Sequence, residues 1–186
     1  MDHRDHVALI RGGVEGGGLE WIELGSGRGA FTLVLADLLG PAGRITSVDR
    51  DPAALRRQSA TLAAAYPAIH IDYLVADFSR PLALESRDGV LMANSLHFSR
   101  DQAAVLQRVG ALLRPGGRLV LVEYDTDRGN HWVPHPLSYR SWERLSREVG
   151  FRDTRLLVRR PGSGLAAIYS ALSFGPEGRG QNRRCA

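Results

Sequence analysis

Glu23-Leu24-Gly25-Ser26-Gly27-Arg28-Gly29 follows directly on the apolar run Leu19-Glu20-Trp21-Ile22. Three glycines at alternate positions, between a strand and a helix, strip Cβ atoms from a tight turn. The backbone there is free to adopt positive φ, and a ligand can lie against it. Asp49 stands 20 residues beyond Gly29, at the end of the next apolar run, Arg44-Ile45-Thr46-Ser47-Val48. A glycine turn and an acid at that distance form the pattern of a nucleoside-binding βαβ unit, in which the acid accepts hydrogen bonds from ribose hydroxyls.

Outward from this unit the chain alternates strand and helix signals. The first strand spans about 19–24 and a helix about 29–39, with Phe31, Leu33, Val34, Leu35, Leu38 and Leu39 apolar almost all round. A second strand covers about 44–49. Asp51-Pro52 opens a helix reaching to about Ala65, an N-cap followed by proline at the first helical position. Strands follow at about 69–75, 89–93 and 118–124, with a helix at about 100–113 and a turn at Arg114-Pro115-Gly116-Gly117. A helix at about 138–149 precedes two closing strands, about 151–159 and 165–172. Only Pro161-Gly162-Ser163-Gly164 separates those two, too short a linker for a parallel crossover. The expected fold is α/β: a Rossmann-like, doubly wound, seven-stranded, mostly parallel sheet ending in an antiparallel hairpin. Residues 1–18 are expected to form a short helix or a lid, with a flexible glycine-rich connection at 12–18. Residues 173–186 read as a disordered basic tail.

The chain has 186 residues, 44% hydrophobic and 24% charged, ordinary values for one soluble domain. No apolar run nears the roughly 20 residues of a membrane span. The start, Met1-Asp2-His3-Arg4-Asp5-His6, carries acids and no long apolar block, unlike a signal peptide. Cys185 is the single cysteine, which excludes an internal disulfide or a cysteine-built zinc site and points to a reducing, cytoplasmic setting. The pI of 9.8 is not read as a nucleic-acid footprint. Every Lys/Arg position is arginine, and half of the formal charge of +4 sits in the tail, where Arg179, Arg183 and Arg184 stand against Glu177.

The glycine turn alone admits two ligands. Gly25, Gly27 and Ala30 also satisfy the dinucleotide pattern G-x-G-x-x-G/A, so an NAD-dependent oxidoreductase is the competing reading. Three features lean the other way. Glu23 stands two residues before the first glycine, where a carboxylate could reach the site mouth and bind an ammonium group. Gly29 makes the spacing G-x-G-x-G, which suits a ligand without a pyrophosphate. Asp77-Phe78 closes the third strand, with an acid for an adenine amino group and a ring for the base face.

These residues, with Leu113-Arg114-Pro115-Gly116-Gly117-Arg118-Leu119 before the fifth strand, resemble the class I S-adenosylmethionine-dependent methyltransferases. The likeness extends to the small-molecule enzymes related to quinone biosynthesis and covers about residues 19–172. It implies S-adenosylmethionine as cofactor. Gly25, Ser26, Gly27 and Gly29 would line its methionine half. Asp49 would hold the ribose, with Arg50 beside the adenine. Asp77 and Phe78 would read the adenine, and Asn94 would approach the methionine moiety. A non-catalytic module holding the same cofactor is a further alternative.

Methyl transfer asks for an acceptor held in line and for excluded water. A general base is needed where the acceptor must lose a proton. His97, Tyr124, Asp125, His131, His135 and Tyr139 cluster after strands four and five. His97 and Tyr124 are the candidate catalytic residues. Asn94-Ser95-Leu96-His97 departs from the Asn-Pro-Pro-aromatic segment of amino-directed nucleic-acid methyltransferases, and one cysteine cannot provide the several thiols of an arsenite-type mechanism. A small-molecule acceptor, bound under the N-terminal segment and the 125–137 loop, is the expectation. No metal site is expected, and nothing in the sequence sets an oligomeric state.

Overall fold

The computed structural model describes residues 1–162 and 166–176. Seven strands form one sheet: β1 (Glu20–Leu24), β2 (Arg44–Asp49), β3 (His70–Val75), β4 (Arg87–Ala93), β5 (Leu113–Tyr124), β6 (Arg152–Arg160) and β7 (Ile168–Phe174). Their order is β3-β2-β1-β4-β5-β7-β6; β1 to β5 pair in parallel, and β7 lies antiparallel between β5 and β6. The helices are α1 (His3–Val14), α2 (Ala30–Leu39), α3 (Pro52–Ala65), α4 (Gln102–Ala111) and α5 (Tyr139–Glu148), with a 3₁₀ turn at Leu96–Phe98.

Alternation along the strands divides the core into two layers. Trp21, Ile45, Leu91, Val120, Val122 and Leu172 pack against Leu9 and Ile10 of α1, Val34 and Leu35 of α2 and Leu62 of α3. Ile22, Leu24, Val90, Met92, Leu119 and Leu121 pack on the other face against Val105, Leu106 and Val109 of α4 and Trp142 of α5. Acidic or hydroxyl side chains cap four helices. Asp2 accepts from Asp5 N, Asp51 from Ala53 N, Asp101 from Ala104 N and Ser138 from Ser141 N. The N-terminus of α2 has no side-chain cap; Gly29 stands there at φ 84°.

Three expectations are corrected. Gly12 and Gly13 are not part of a flexible connection but the last full turn of α1. A Cβ on Gly13 would lie 2.5 Å from Val120 Cγ2, so the glycine lets α1 close onto the sheet. Leu9, Ile10 and Val14 are buried in that contact, which makes α1 part of the core rather than a lid. The turn at 114–117 lies inside β5. Arg87 pairs with Leu113 and Gly89 with Arg118, so the intervening residues bulge out, with Gly116 at φ 75°. Arg114 braces the bulge through ion pairs to Asp88 and Glu20. Finally, β7 runs to Phe174, two residues into the expected tail. Residues 177–186 of that tail, 163 and 164 of the hairpin linker and 165, the expected start of the last strand, lie outside the described residues.

Candidate active site

In an open α/β sheet a ligand crevice forms where neighbouring strands lead their chains to opposite faces. Here that point lies between β1, followed by α2 on one face, and β4, followed by α4 on the other. A cavity of about 650 Å³ opens there, within the usual range of roughly 300–1,000 Å³ for small-molecule sites. Gly25, Gly27, Asp49, Arg50, Asp77, Phe78 and Asn94, seven of the sequence-derived site residues, line it together.

The glycine turn takes the expected form: Gly25, Gly27 and Gly29 have φ of 77°, 54° and 84°. A Cβ built on Gly27 would meet nothing within 4 Å, while one on Gly25 would press on Ser95 and the Phe78 ring. Gly27 is thus the open floor and Gly25 the close-packed wall. Asp49 Oδ2 accepts Gly27 N–H at 2.7 Å and its Oδ1 accepts Asp51 N–H at 2.8 Å. Each oxygen keeps lone-pair capacity for a ligand hydroxyl. Asp77 Oδ1 caps the turn by accepting Ser79 N–H at 2.9 Å, and hydrogen bonds from Ser79 hold this carboxyl below its ordinary range. Asn94 sits in the left-handed region at φ 51°, and its buried Oδ1 has no hydrogen-bond partner. A buried acceptor left open, on a residue held in a strained conformation, is suited to a donor that a ligand brings.

Three sequence-derived residues stand behind the turn and not in the cavity lining. Glu23 is only 2% exposed and accepts a hydrogen bond from Thr32 Oγ1 of α2. The cause is strand alternation: Glu23 shares a face with Trp21, toward α2, so it cannot reach the site mouth. Burial, with the nearby Asp49 charge in support, pushes its carboxyl up to about 8. Ser26 is buried with its hydroxyl 2.8 Å from Ser47 Oγ. Gly29 faces the Gln58 side chain.

The other candidates lie beside the cavity. His97, in the 3₁₀ turn, is buried; its Nδ1 is 2.7 Å from Glu123 Oε2, and its backbone N–H donates to Glu123 Oε1 at 3.2 Å. Glu123 is fully buried near the end of β5. The His97 ring lies 4.3 Å from that of Phe98, which lines the cavity, and 6.0 Å from that of Tyr124. Tyr124 itself lines a separate cleft of about 110 Å³ with Thr126, Arg128, Asn130 and Val133. His135 N–H donates to His97 O at 3.0 Å, tying the 125–137 loop to this dyad. Asp125 is committed elsewhere, to Arg159 and to Tyr139 N–H. None of residues 1–18 and none of residues 125–137 lines the cavity, so the seat expected under the N-terminal segment and that loop is not formed by them.

Sequence reasoning missed Glu123, Phe98, Ser95, Arg100 and Arg108. Glu123 breaks the apolar run Leu119-Val120-Leu121-Val122, a signal of a buried acid needing a partner. Arg100 and Arg108 carry no local signal that separates them from the other arginines.

Residues 22–121 match the family described as methyltransferase domain. The chain belongs to that family. This methyltransferase domain is 28% identical over 163 residues to an arsenite methyltransferase of Aquipseudomonas alcaligenes, an alignment covering 77% of this chain and 47% of the relative. It is 31% identical over 144 residues to a carboxy-S-adenosyl-L-methionine synthase of Chromohalobacter salexigens, covering 74% and 51%. Among solved structures it resembles an arsenic(III) S-adenosylmethionine methyltransferase of Chlamydomonas reinhardtii, with TM-score 0.71, 27% identity and coverage of 91% and 66%. The chain spans about half the length of the curated relatives it matches. The family match decides between the two readings of the glycine turn: this is a class I S-adenosylmethionine-dependent methyltransferase fold, with S-adenosylmethionine as cofactor, and the NAD reading falls.

Proposed function

We propose that this chain transfers a methyl group from S-adenosylmethionine to a small-molecule acceptor that must lose a proton to react. The observation that carries the proposal is the buried His97–Glu123 pair beside the cavity. The residues present fit the cofactor. The open glycine floor accommodates its chain, Asp49 takes the ribose hydroxyls, and Phe78 and Asp77 take the adenine face and edge, with Arg50 alongside. The unpartnered Asn94 Oδ1 accepts from the amino group. When bound, S-adenosylmethionine supplies an electrophilic methyl group on a sulfonium.

The protein's own part is to bind, orient and move one proton. Glu123 accepts Nδ1–H and so leaves the other ring nitrogen of His97 as the free base. That nitrogen takes the acceptor's proton as its nucleophilic atom is freed. Phe98, which lines the cavity, packs against the imidazole and provides an apolar wall for the acceptor. A carbon acid or a phenol-type hydroxyl meets these requirements. A cytoplasmic location is part of the same reading; among the described residues no helix is long and apolar enough to cross a membrane.

Labelled S-adenosylmethionine offered with panels of phenols, enolisable carbonyl compounds and amines tests the proposal. Transfer to the first two classes, lost in His97→Ala while cofactor binding persists, is expected. Transfer that His97→Ala leaves unchanged would contradict the role of the dyad. Cofactor binding without transfer to any class would favour the non-catalytic module.

A further inference from the structure

Five buried polar side chains lie in one line behind the glycine turn: Ser26 in the turn, Ser47 of β2, Gln58 of α3, Thr32 of α2 and Glu23 of β1. None of the five lines the cavity, but Ser26 stands between Gly25 and Gly27, which do. Their hydrogen bonds have a forced direction, because each hydroxyl has one hydrogen. Ser47 Oγ is 2.8 Å from Gln58 Oε1 and 2.8 Å from Ser26 Oγ. The amide oxygen only accepts, so Ser47 spends its hydrogen there and Ser26 supplies the one between the serines. Gln58 Nε2 donates to Thr32 Oγ1, and Thr32 O–H donates to Glu23 Oε2. All four bonds therefore run toward the carboxylate of Glu23.

We propose that this relay links ligand binding to a proton: protonation of Glu23 reverses the four bonds by a half-turn of the Gln58 amide and frees the Ser26 hydroxyl hydrogen for a ligand carboxylate. Gln58 is then a positioning residue for the cofactor, acting through Ser26. The proposal rests on the cofactor reading above. The carboxylate of the cofactor's amino-acid end belongs at this turn because the N-terminus of α2 is uncapped and favours an anion. The groups packed around Glu23 leave the proton to it. Thr32 and Gln58 are uncharged. Ser47 and Leu91 are its register partners on β2 and β4. Asp49 is the charge acting on it, and disfavours a second negative charge. Burial holds the carboxyl at about 8, so the neutral form is accessible near neutral pH.

Calorimetry of S-adenosylhomocysteine binding at pH 8, in two buffers of different ionisation enthalpy, counts the protons exchanged. Net uptake by the unaltered chain is expected, together with affinity about threefold or more weaker at pH 9 than at pH 7. Uptake should vanish in Glu23→Gln, whose amide holds the reversed direction, and in Gln58→Leu, which cuts the relay. S-adenosyl-3-thiopropylamine keeps the amine and lacks the carboxylate. It should bind the unaltered chain without uptake, a comparison that needs no variant. Binding with no uptake, uptake retained in either folded variant, or equal uptake with the decarboxylated ligand would overturn the relay while sparing the cofactor site. Failure of S-adenosylhomocysteine to bind at all would instead remove the cofactor reading beneath it.

Discussion

Glu123 receives two hydrogen bonds from His97, one from the backbone N–H at 3.2 Å and one from Nδ1 at 2.7 Å, and both residues are buried. The double contact fixes the ring's position and tautomer at once. A buried carboxylate satisfied in this way has a partner whose loss would leave it stranded. His97→Ala should lower the rate of methyl transfer by about 10²–10⁴-fold. Glu123→Gln should lower it too, by releasing the tautomer, with cofactor affinity nearly unchanged in both. Single-turnover rates alongside calorimetric affinities check the separation.

Asp49 divides its oxygens between Gly27 N–H and Asp51 N–H. Asp49→Ala removes both anchors and, with them, the carboxylate proposed to hold the ribose. Affinity for S-adenosylmethionine should fall by about 10- to 100-fold. Equilibrium dialysis with labelled cofactor reads this directly, and unchanged affinity would move the ribose elsewhere.

Gly29 combines φ of 84° with the Gln58 side chain where a Cβ would go. Gly29→Ala should destabilise the fold by roughly 1–3 kcal/mol, from the left-handed backbone and the displaced amide together. Gly27→Ala meets no such wall. It should cost less stability and more cofactor affinity, because its methyl group enters the ligand's space. Thermal melts with and without S-adenosylhomocysteine distinguish the two.

Glu23 gives the fold a pH dependence of definite sign. Its carboxyl ordinarily titrates near 4.5 and is pushed up to about 8 in the folded chain. Between these values the folded state holds a proton that the unfolded state has released, so stability falls as pH rises from 4.5 toward 8 and then levels off. Glu23→Gln should flatten this window and exceed the unaltered chain in stability above pH 8. Denaturant midpoints at pH 5, 7 and 9 supply the test.

Much of this was legible from the sequence because local rules and tertiary packing agree. The glycine turn, Asp49 at a strand end and the short linker before β7 each specify their geometry within a few residues, and the parallel sheet with its antiparallel closure follows. Glu23 shows where the reading failed. Its nearness to the glycines suggested the site mouth, yet the period of two along Glu20–Leu24 puts it on the α2 side with Trp21. Glu123 and His97 lie 26 positions apart and meet only because β4 and β5 are adjacent, which no local pattern encodes. Gly12 and Gly13 read as a breaker; the close approach of α1 to Val120, a tertiary demand, makes them helical.

Titration calorimetry of the intact chain with S-adenosylmethionine, and in parallel with NADH, bears most directly on the site at the β1–β4 crevice. Saturable one-to-one binding of S-adenosylmethionine, weakened in Asp49→Ala and Phe78→Ala, with no heat from NADH, is the expected result. A chain that ignores S-adenosylmethionine, or binds it equally well without Asp49 and Phe78, would show that the crevice serves another ligand.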